Sequence, residues 1–209
     1  MPSDAPDPRR YWAGMRLGLL GGTFDPPHLG HLAAARAVRD ALGLDRVDLV
    51  PANDPWQKTD RGTGITPPAV RLEMVRALVK GEDGLGVDDR EIRRGGPTYS
   101  ADTLEEIHAV MPGIDVHLII GADTARTFDT WRRPEAVLAL STLVVVNRGD
   151  ETALAPEGAV RVVHVTMVPV ETSSSSVRAA VARGLDVSDE VGAAVAQVIG
   201  LHGLYAGAA

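Results

Sequence analysis

Apolar positions along the chain fall into short blocks parted by polar turns, and the blocks alternate between two periods. Leu17, Leu19 and Leu20 form a run that reads as a buried strand and stops at Gly21-Gly22. The alanine-rich segment that follows is helical in spacing from 30 to 42 and ends at Gly43, a residue suited to the left-handed C-cap of a helix. Further strands are predicted at 47–50, 85–92, 116–120, 143–146 and 161–165, and further helices at 69–80, 100–111, 135–140 and 189–199. Thr66 is the expected N-cap of the 69–80 helix with Pro67 in its first turn, and Ser100 is the expected cap of the helix running to Met111. Leu72, Val75 and Val79 share one face of the 69–80 helix and suit a core, whereas Arg71 on that helix could reach the 51–66 loop and, taken in isolation, reads as a solvated side chain. Strands alternating with helices imply an α/β fold, a parallel sheet with helices on both faces and right-handed crossovers, here with a helical C-terminal end.

The length of 209 residues fits a single domain, and 44% apolar residues suffice for its core. Aromatics are only 4%, so that core must be built of Val, Leu, Ala and Ile. The chain has no cysteine. That excludes disulfides, thiolate zinc sites and thiol nucleophiles, and accords with a cytoplasmic location. A net charge of −7 opposes a nucleic-acid partner, which needs a basic face. No apolar run reaches the roughly 18 residues of a membrane helix. Residues 1–14, rich in Pro, Asp and Arg, lack the apolar centre of a signal peptide and are expected to be a disordered, dispensable extension, with one domain over 15–209. Oligomeric state stays open, a homo-oligomer included.

The stretch from Leu17 to His31, LGLLGGTFDPPHLGH, is a strand, a glycine turn and a helix start. The first N–H groups of a helix lack internal partners and sit at its positive end, so this is an expected anion site. Glycines at 21, 22 and 30 would let a phosphate approach the backbone, and His28 and His31, three apart, would share a face toward one ligand. Neither a P-loop nor a G-x-G-x-x-G fingerprint is present, and Asp48 stands inside its strand instead of closing it, which weakens a dehydrogenase reading.

Three other stretches carry candidate chemistry. Residues 51–66 form a long polar loop whose Lys58 and Arg61 could meet anions. The 116–120 strand ends at Gly121-Ala122-Asp123, where an open α/β sheet carries its ligand crevice. Thr172-Ser-Ser-Ser-Ser-Val-Arg178 is a polar helix start and a second anion site, with Arg178 in its first turns.

With these residues in view, GGTFDPPHLGH resembles the signature of the nucleotidyltransferase superfamily with the (H/T)-x-G-H motif, and within it the bacterial nicotinate-nucleotide adenylyltransferases. Supporting likenesses run from Arg16 to Tyr205. Asp89 to Leu104 is similar to the D-x-E-x-x-R-x-G-x-[ST]-Y-[ST]-x-D-T-L block, Asp123 with Phe128 and Trp131 to G-x-D-x-x-x-x-F-x-x-W, Thr172 to Arg178 to S-S-T-x-[IV]-R, and Leu204-Tyr205 to the closing Leu-Tyr pair. Ser175 stands where Thr is usual, Asp54-Pro55-Trp56-Gln57-Lys58 replaces Pro-Pro-His-Lys, and Ser188-Asp189-Glu190 and Val198-Ile199 depart from the family's C-terminal helix.

The resemblance implies a Rossmann-like nucleotidyltransferase fold and adenylyl transfer from ATP to nicotinate mononucleotide, with Mg²⁺ accompanying ATP and no dedicated metal site. It assigns catalysis to His28, His31, Arg178 and Lys58. ATP would be held by Gly21, Gly22, Thr23, Phe24, His28, Gly30, His31, Gly121, Asp123, Ser175, Ser176 and Arg178, and the pyridine nucleotide by Lys58, Thr98, Tyr99, Ser100, Trp131 and Arg132. A phosphate monoester is already a nucleophile near neutral pH, so no general base or covalent intermediate is required, in keeping with the missing Ser-His-Asp or Cys-His arrangement. Rival readings are a sister enzyme acting on nicotinamide mononucleotide or phosphopantetheine, a cytidylyltransferase, a non-catalytic ATP sensor, and a metal site at His28-x-x-His31, which lacks a compact third ligand.

Overall fold

The computed structural model describes residues 12–55, 64–149 and 154–207. Among them, strands β1 (Arg16–Gly22), β2 (Arg46–Pro51), β3 (Leu85–Val87), β4 (Asp115–Gly121), β5 (Thr142–Arg148) and β6 (Val162–Met167) form one sheet in the order β3-β2-β1-β4-β5-β6. Every neighbouring pair is parallel. The strand order reverses between β1 and β4, so their carboxyl ends open a crevice there.

Helices cover both faces, as the near-continuous apolar strands require. On one face lie α1 (Leu29–Leu42), α2 (Pro68–Leu78) and the C-terminal α7 (Ser174–Ala182), α8 (Ser188–Val191) and α9 (Ala193–Leu201), packed over Leu20, Val47, Leu49, Ile119 and Val144. On the other lie α4 (Ser100–Val110), the short α5 (Ala122–Ala125) and α6 (Pro134–Leu140), packed over Leu17, Leu19, Leu118, Ile120 and Val145. Alternate residues of β1 and β4 thus serve opposite layers, the period-two consequence of a strand buried on both sides. Gly18 is needed for this packing: a Cβ there would stand 2.8 Å from Val47 Cγ2 and 2.9 Å from Leu44 Cδ1.

Four local expectations are corrected. The 85–92 segment is a three-residue strand followed by helix α3 (Arg90–Arg94), because Asp88 accepts from the Arg90 backbone N–H and turns the chain. Thr66 does not cap α2, whose N-cap is Pro67; the Thr66 peptide is spent instead on Asp25 and Arg71. Ser100 is the first residue of α4, with Tyr99 at the N-cap in extended conformation. The last helix is broken at Gly192, where φ is +83°, a value that side-chain-bearing residues avoid. Gly43 does close α1 in the left-handed region, at φ +59°. Trp12, within the stretch expected to be an extension, packs against the second layer, and its carbonyl accepts from the Met15 N–H; residues 1–11 lie outside the described residues.

Candidate active site

The crevice at the carboxyl ends of β1 and β4 is a cleft of about 440 Å³. Its first wall is the turn after β1, with Gly21, Gly22, Thr23 and Phe24, and the start of α1, with Gly30 and His31. Its second wall is Gly121 and Asp123 after β4, and its third is Thr98, Tyr99 and Ser100 facing Trp131 and Arg132. Thirteen sequence-predicted residues therefore meet in one cavity, although they come from positions 21 to 132.

His31 is held from three sides. Its Nδ1 accepts the His28 backbone N–H at 3.2 Å, the His28 ring lies 3.7 Å away between centroids, and Phe24 meets it edge-on at 4.9 Å. With Nδ1 occupied as acceptor, the proton of the neutral ring belongs on Nε2, which makes His31 a donor at its outer edge. His28 is 3% exposed, is the N-cap residue of α1 and backs His31 without lining the cleft. The two rings thus do not share an open face: one stands behind the other.

Two of the three glycines serve the protein's own rings. A Cβ on Gly22 would lie 2.9 Å from Phe24 Cζ, and a Cβ on Gly30 would lie 2.9 Å from His28 Nδ1. Only Gly21 leaves open space in front of the backbone. Phe24 itself takes φ +52° while 2% exposed, a strained backbone held by burial of its ring.

The second predicted anion site joins the first through the backbone. Ser173 caps α7 by accepting the Ser176 N–H at 3.0 Å, and the Ser176 hydroxyl in turn accepts from the Ser173 N–H. Ser174, not singled out by sequence, donates to the Pro26 carbonyl at 2.8 Å and lines the cleft. Arg178 donates to the Asp25 carbonyl at 2.7 Å. Ser175 is exposed at the same helix start, and neither it, Ser176 nor Arg178 lines the cleft. Lys58 and Arg61 lie outside the described residues.

Sequence reasoning missed the supports of these walls. Arg71, expected in solvent, is fully buried and donates to the carbonyls of Thr66 at 2.9 Å, Thr23 at 2.7 Å and Asn53 at 2.9 Å. Burial lowers the pKa of its guanidinium, against the pull of Asp25. Asn53 passes the link on: its N–H donates to the Thr98 hydroxyl at 3.0 Å and its side-chain amide to the Gly96 carbonyl at 2.9 Å. Asp25 receives the Tyr205 hydroxyl on Oδ1 and the Thr66 N–H on Oδ2. Burial, then the bond to Asp25, raises the Tyr205 pKa. Glu91, from α3, reaches the cleft wall while 6% exposed; desolvation pushes its carboxyl up to about 7, against the Thr103 hydroxyl that donates to it at 2.7 Å. A buried Arg that meets three carbonyls from two loops has no periodic signal in sequence, whereas Tyr205 is visible only as half of a terminal motif.

Asp123 is exposed and pairs with Arg126 at 2.7 Å. Trp131 stacks on Phe128 with centroids 5.0 Å apart. Among the described residues no three His, Cys, Asp or Glu side chains cluster as metal ligands, and no helix is long and apolar enough to cross a membrane.

Known proteins resemble this chain in sequence and in fold. Residues 19–180 match the family model described as cytidylyltransferase-like. The "Probable nicotinate-nucleotide adenylyltransferase" of Bordetella petrii is 37% identical over 200 residues, covering 91% of this chain and 98% of that protein. The protein of the same name from Exiguobacterium sibiricum is 38% identical, covering 92% of this chain and 100% of its own length. Among solved structures, the nicotinic acid mononucleotide adenylyltransferase of Plasmodium falciparum complexed with NaAD superposes with a TM-score of 0.74 at 16% identity, covering 91% of this chain and 97% of that one, a likeness of fold. Family model, relatives and sheet order agree, and the chain belongs to the cytidylyltransferase-like family, on the branch of the nicotinate-nucleotide adenylyltransferases.

Proposed function

We propose that this protein transfers the adenylyl group of ATP to nicotinate mononucleotide, giving nicotinate adenine dinucleotide and pyrophosphate in NAD biosynthesis. The observation that carries the reading is the joining of two helix starts at one short segment: α1 begins just past Pro26, and α7 is tied to Pro26 and Asp25 through Ser174 and Arg178. Two positive helix ends with a common wall suit a triphosphate, and the aromatic wall of Tyr99 and Trp131 at the same cleft suits a pyridine ring.

In this mechanism the 5′-phosphate of the acceptor attacks the α-phosphorus of ATP in line, and pyrophosphate leaves. The P–O bond to the acceptor forms as the bond to the β-phosphate oxygen breaks, with no covalent enzyme intermediate. Catalysis is positioning and charge stabilisation. His31 donates from Nε2 to the phosphates around the scissile bond, and His28 orients it and completes the helix start. Gly21, Gly22, Thr23, Phe24 and Gly30 form the nucleotide wall, with Gly121 and Asp123 beside the ribose. Arg178, Ser175 and Ser176 meet the β and γ phosphates, and Lys58 adds positive charge. Thr98, Tyr99, Ser100, Trp131 and Arg132 hold the pyridine nucleotide. Mg²⁺ enters bound to ATP oxygens as part of the substrate, as suits an ion that keeps most of its water. The chain acts in the cytoplasm as a single domain over 15–209.

Pyrophosphate release is measured with Mg-ATP and, in parallel, nicotinate mononucleotide, nicotinamide mononucleotide and phosphopantetheine. Strong preference for the first is expected. Preference for another acceptor transfers the reading to a sister enzyme, and ATP binding with no release under any of the three makes the protein a sensor.

A further inference from the structure

Two adjacent glycines leave the turn that leads into the third wall of the cleft without stiffness of its own. Gly95 and Gly96 take φ of +72° and +68°, and a Cβ on either would meet nothing within 4 Å, so no neighbouring side chain confines them. Hydrogen bonds fix the turn instead. Among the described residues, 96–98 is held from outside by Asn53 and Asp54. The Asn53 side-chain amide donates to the Gly96 carbonyl at 2.9 Å, the Asn53 backbone N–H donates to the Thr98 hydroxyl at 3.0 Å, and the Asp54 carbonyl accepts the Thr98 N–H at 3.2 Å.

The Asn53 carbonyl serves the other wall. It accepts from Arg71 at 2.9 Å, and the same guanidinium donates to the Thr23 carbonyl at 2.7 Å, in the turn after β1. Thr23 lines the first wall of the cleft and Thr98 the third. Arg71 is a firm link, because it is fully buried and its Nε also donates to the Thr66 carbonyl at 2.9 Å. Two walls built from distant segments therefore meet at one asparagine.

We propose that Asn53 is a positioning residue that couples the two halves of the cleft, so that the adenine nucleotide at the first wall and the pyridine nucleotide at the third tighten each other's binding. The inference rests on the function proposed above. A ligand on the first wall holds Thr23 and, through Arg71, the Asn53 peptide in one arrangement. That arrangement fixes the donors that Asn53 sets against Gly96 and Thr98. The second ligand then meets a turn already ordered and does not spend binding energy on stiffening two glycines. Thermodynamic linkage makes the effect equal in both directions.

The test measures Kd by titration calorimetry for nicotinate mononucleotide, alone and with saturating Mg²⁺ and α,β-methylene-ATP, an analogue that cannot transfer its adenylyl group. Wild type is compared with Asn53→Ala, which removes the side-chain donor, and Asn53→Asp, which keeps the size and turns an acceptor toward the Gly96 carbonyl. The bond to Gly96 is exposed, so both variants are expected to fold, and thermal midpoints check this. In the wild type the analogue should tighten the pyridine nucleotide by about fivefold or more, and the pyridine nucleotide should tighten the analogue by the same factor. In both variants the factor should fall to about twofold or less. A residue that only supported the wall would weaken the pyridine nucleotide in both titrations and preserve the factor. A factor that survives in the variants, or a wild type that binds both ligands without coupling, overturns this inference alone. A wild type that neither binds nor turns over a pyridine nucleotide overturns the proposed function, and this inference with it.

Discussion

Tyr205 and Asp25 stand 180 positions apart and meet in one hydrogen bond, from the phenol hydroxyl to Oδ1 at 2.5 Å. Asp25 lies in the turn between β1 and α1, so the turn that begins the cleft's first wall is fastened from a segment distant in sequence. Tyr205→Phe keeps the ring and removes the donor. Losing a hydrogen bond to a buried carboxyl should cost about 1–3 kcal/mol. Urea denaturation reads the cost as a lower midpoint with an unchanged slope, and an unchanged midpoint would deny the fastening.

Arg71 has a larger stake, because its three carbonyl partners lie at Thr23, in the turn after β1, and at Asn53 and Thr66, near the two ends of the connection from β2 to α2. An ammonium is a point donor and cannot span them as a guanidinium does. Arg71→Lys should leave at least one buried carbonyl unmet, at about 1–3 kcal/mol each, and raise KM for both substrates together. Steady-state kinetics beside a melting curve check both halves.

His31→Ala should lower kcat by about two to three orders of magnitude, roughly 3–4 kcal/mol, the size of one lost transition-state donor. A loss under about tenfold would remove the role given to its Nε2.

Trp131→Ala should act on KM for the pyridine nucleotide, by about tenfold or more if the ring stacks on the indole. KM for ATP is the internal control, and an unchanged pyridine KM would take Trp131 out of that pocket.

Glu91 makes stability depend on pH. Its carboxyl is raised from 4.5 to about 7 in the fold, so the folded state holds a proton that the unfolded chain releases. The stabilisation is full below pH 4.5 and is lost as pH rises through 7, by roughly 3 kcal/mol in all. Glu91→Gln keeps an acceptor for Thr103 and cannot ionise, so its advantage over the wild type should grow from pH 5 to pH 8. Parallel thermal melts that keep a constant gap would refute the assignment.

Reading the sequence found what periodicity and local chemistry encode. The β1 turn, the capped end of α1 at Gly43 and the serine-rich start of α7 are each carried by consecutive residues, and each is where expected. The resemblance then brought Tyr99, Trp131 and His31 toward one site, and they do line one cleft. Contacts between segments are what the sequence hid. Nothing local marks Arg71 as buried, since the helix that carries it also exposes Glu73 and Arg76. Gly22 and Gly30 suggest room for phosphate in sequence, and in the structure a Cβ on either would meet the ring of Phe24 or His28, a constraint that only the ring positions reveal. Asp88 turned the expected 85–92 strand into a strand and a helix through one side-chain bond to the next turn.

The bond between Tyr205 and Asp25 also has a meaning in time. A chain leaves the ribosome from its N-terminal end, so the glycine turn emerges early, and the hydroxyl that fastens it is translated 180 residues later. Between those moments the turn has its sequence and lacks its clasp. A polypeptide stopped short of Tyr205 carries both histidines and every glycine of the motif, yet it lacks this tie.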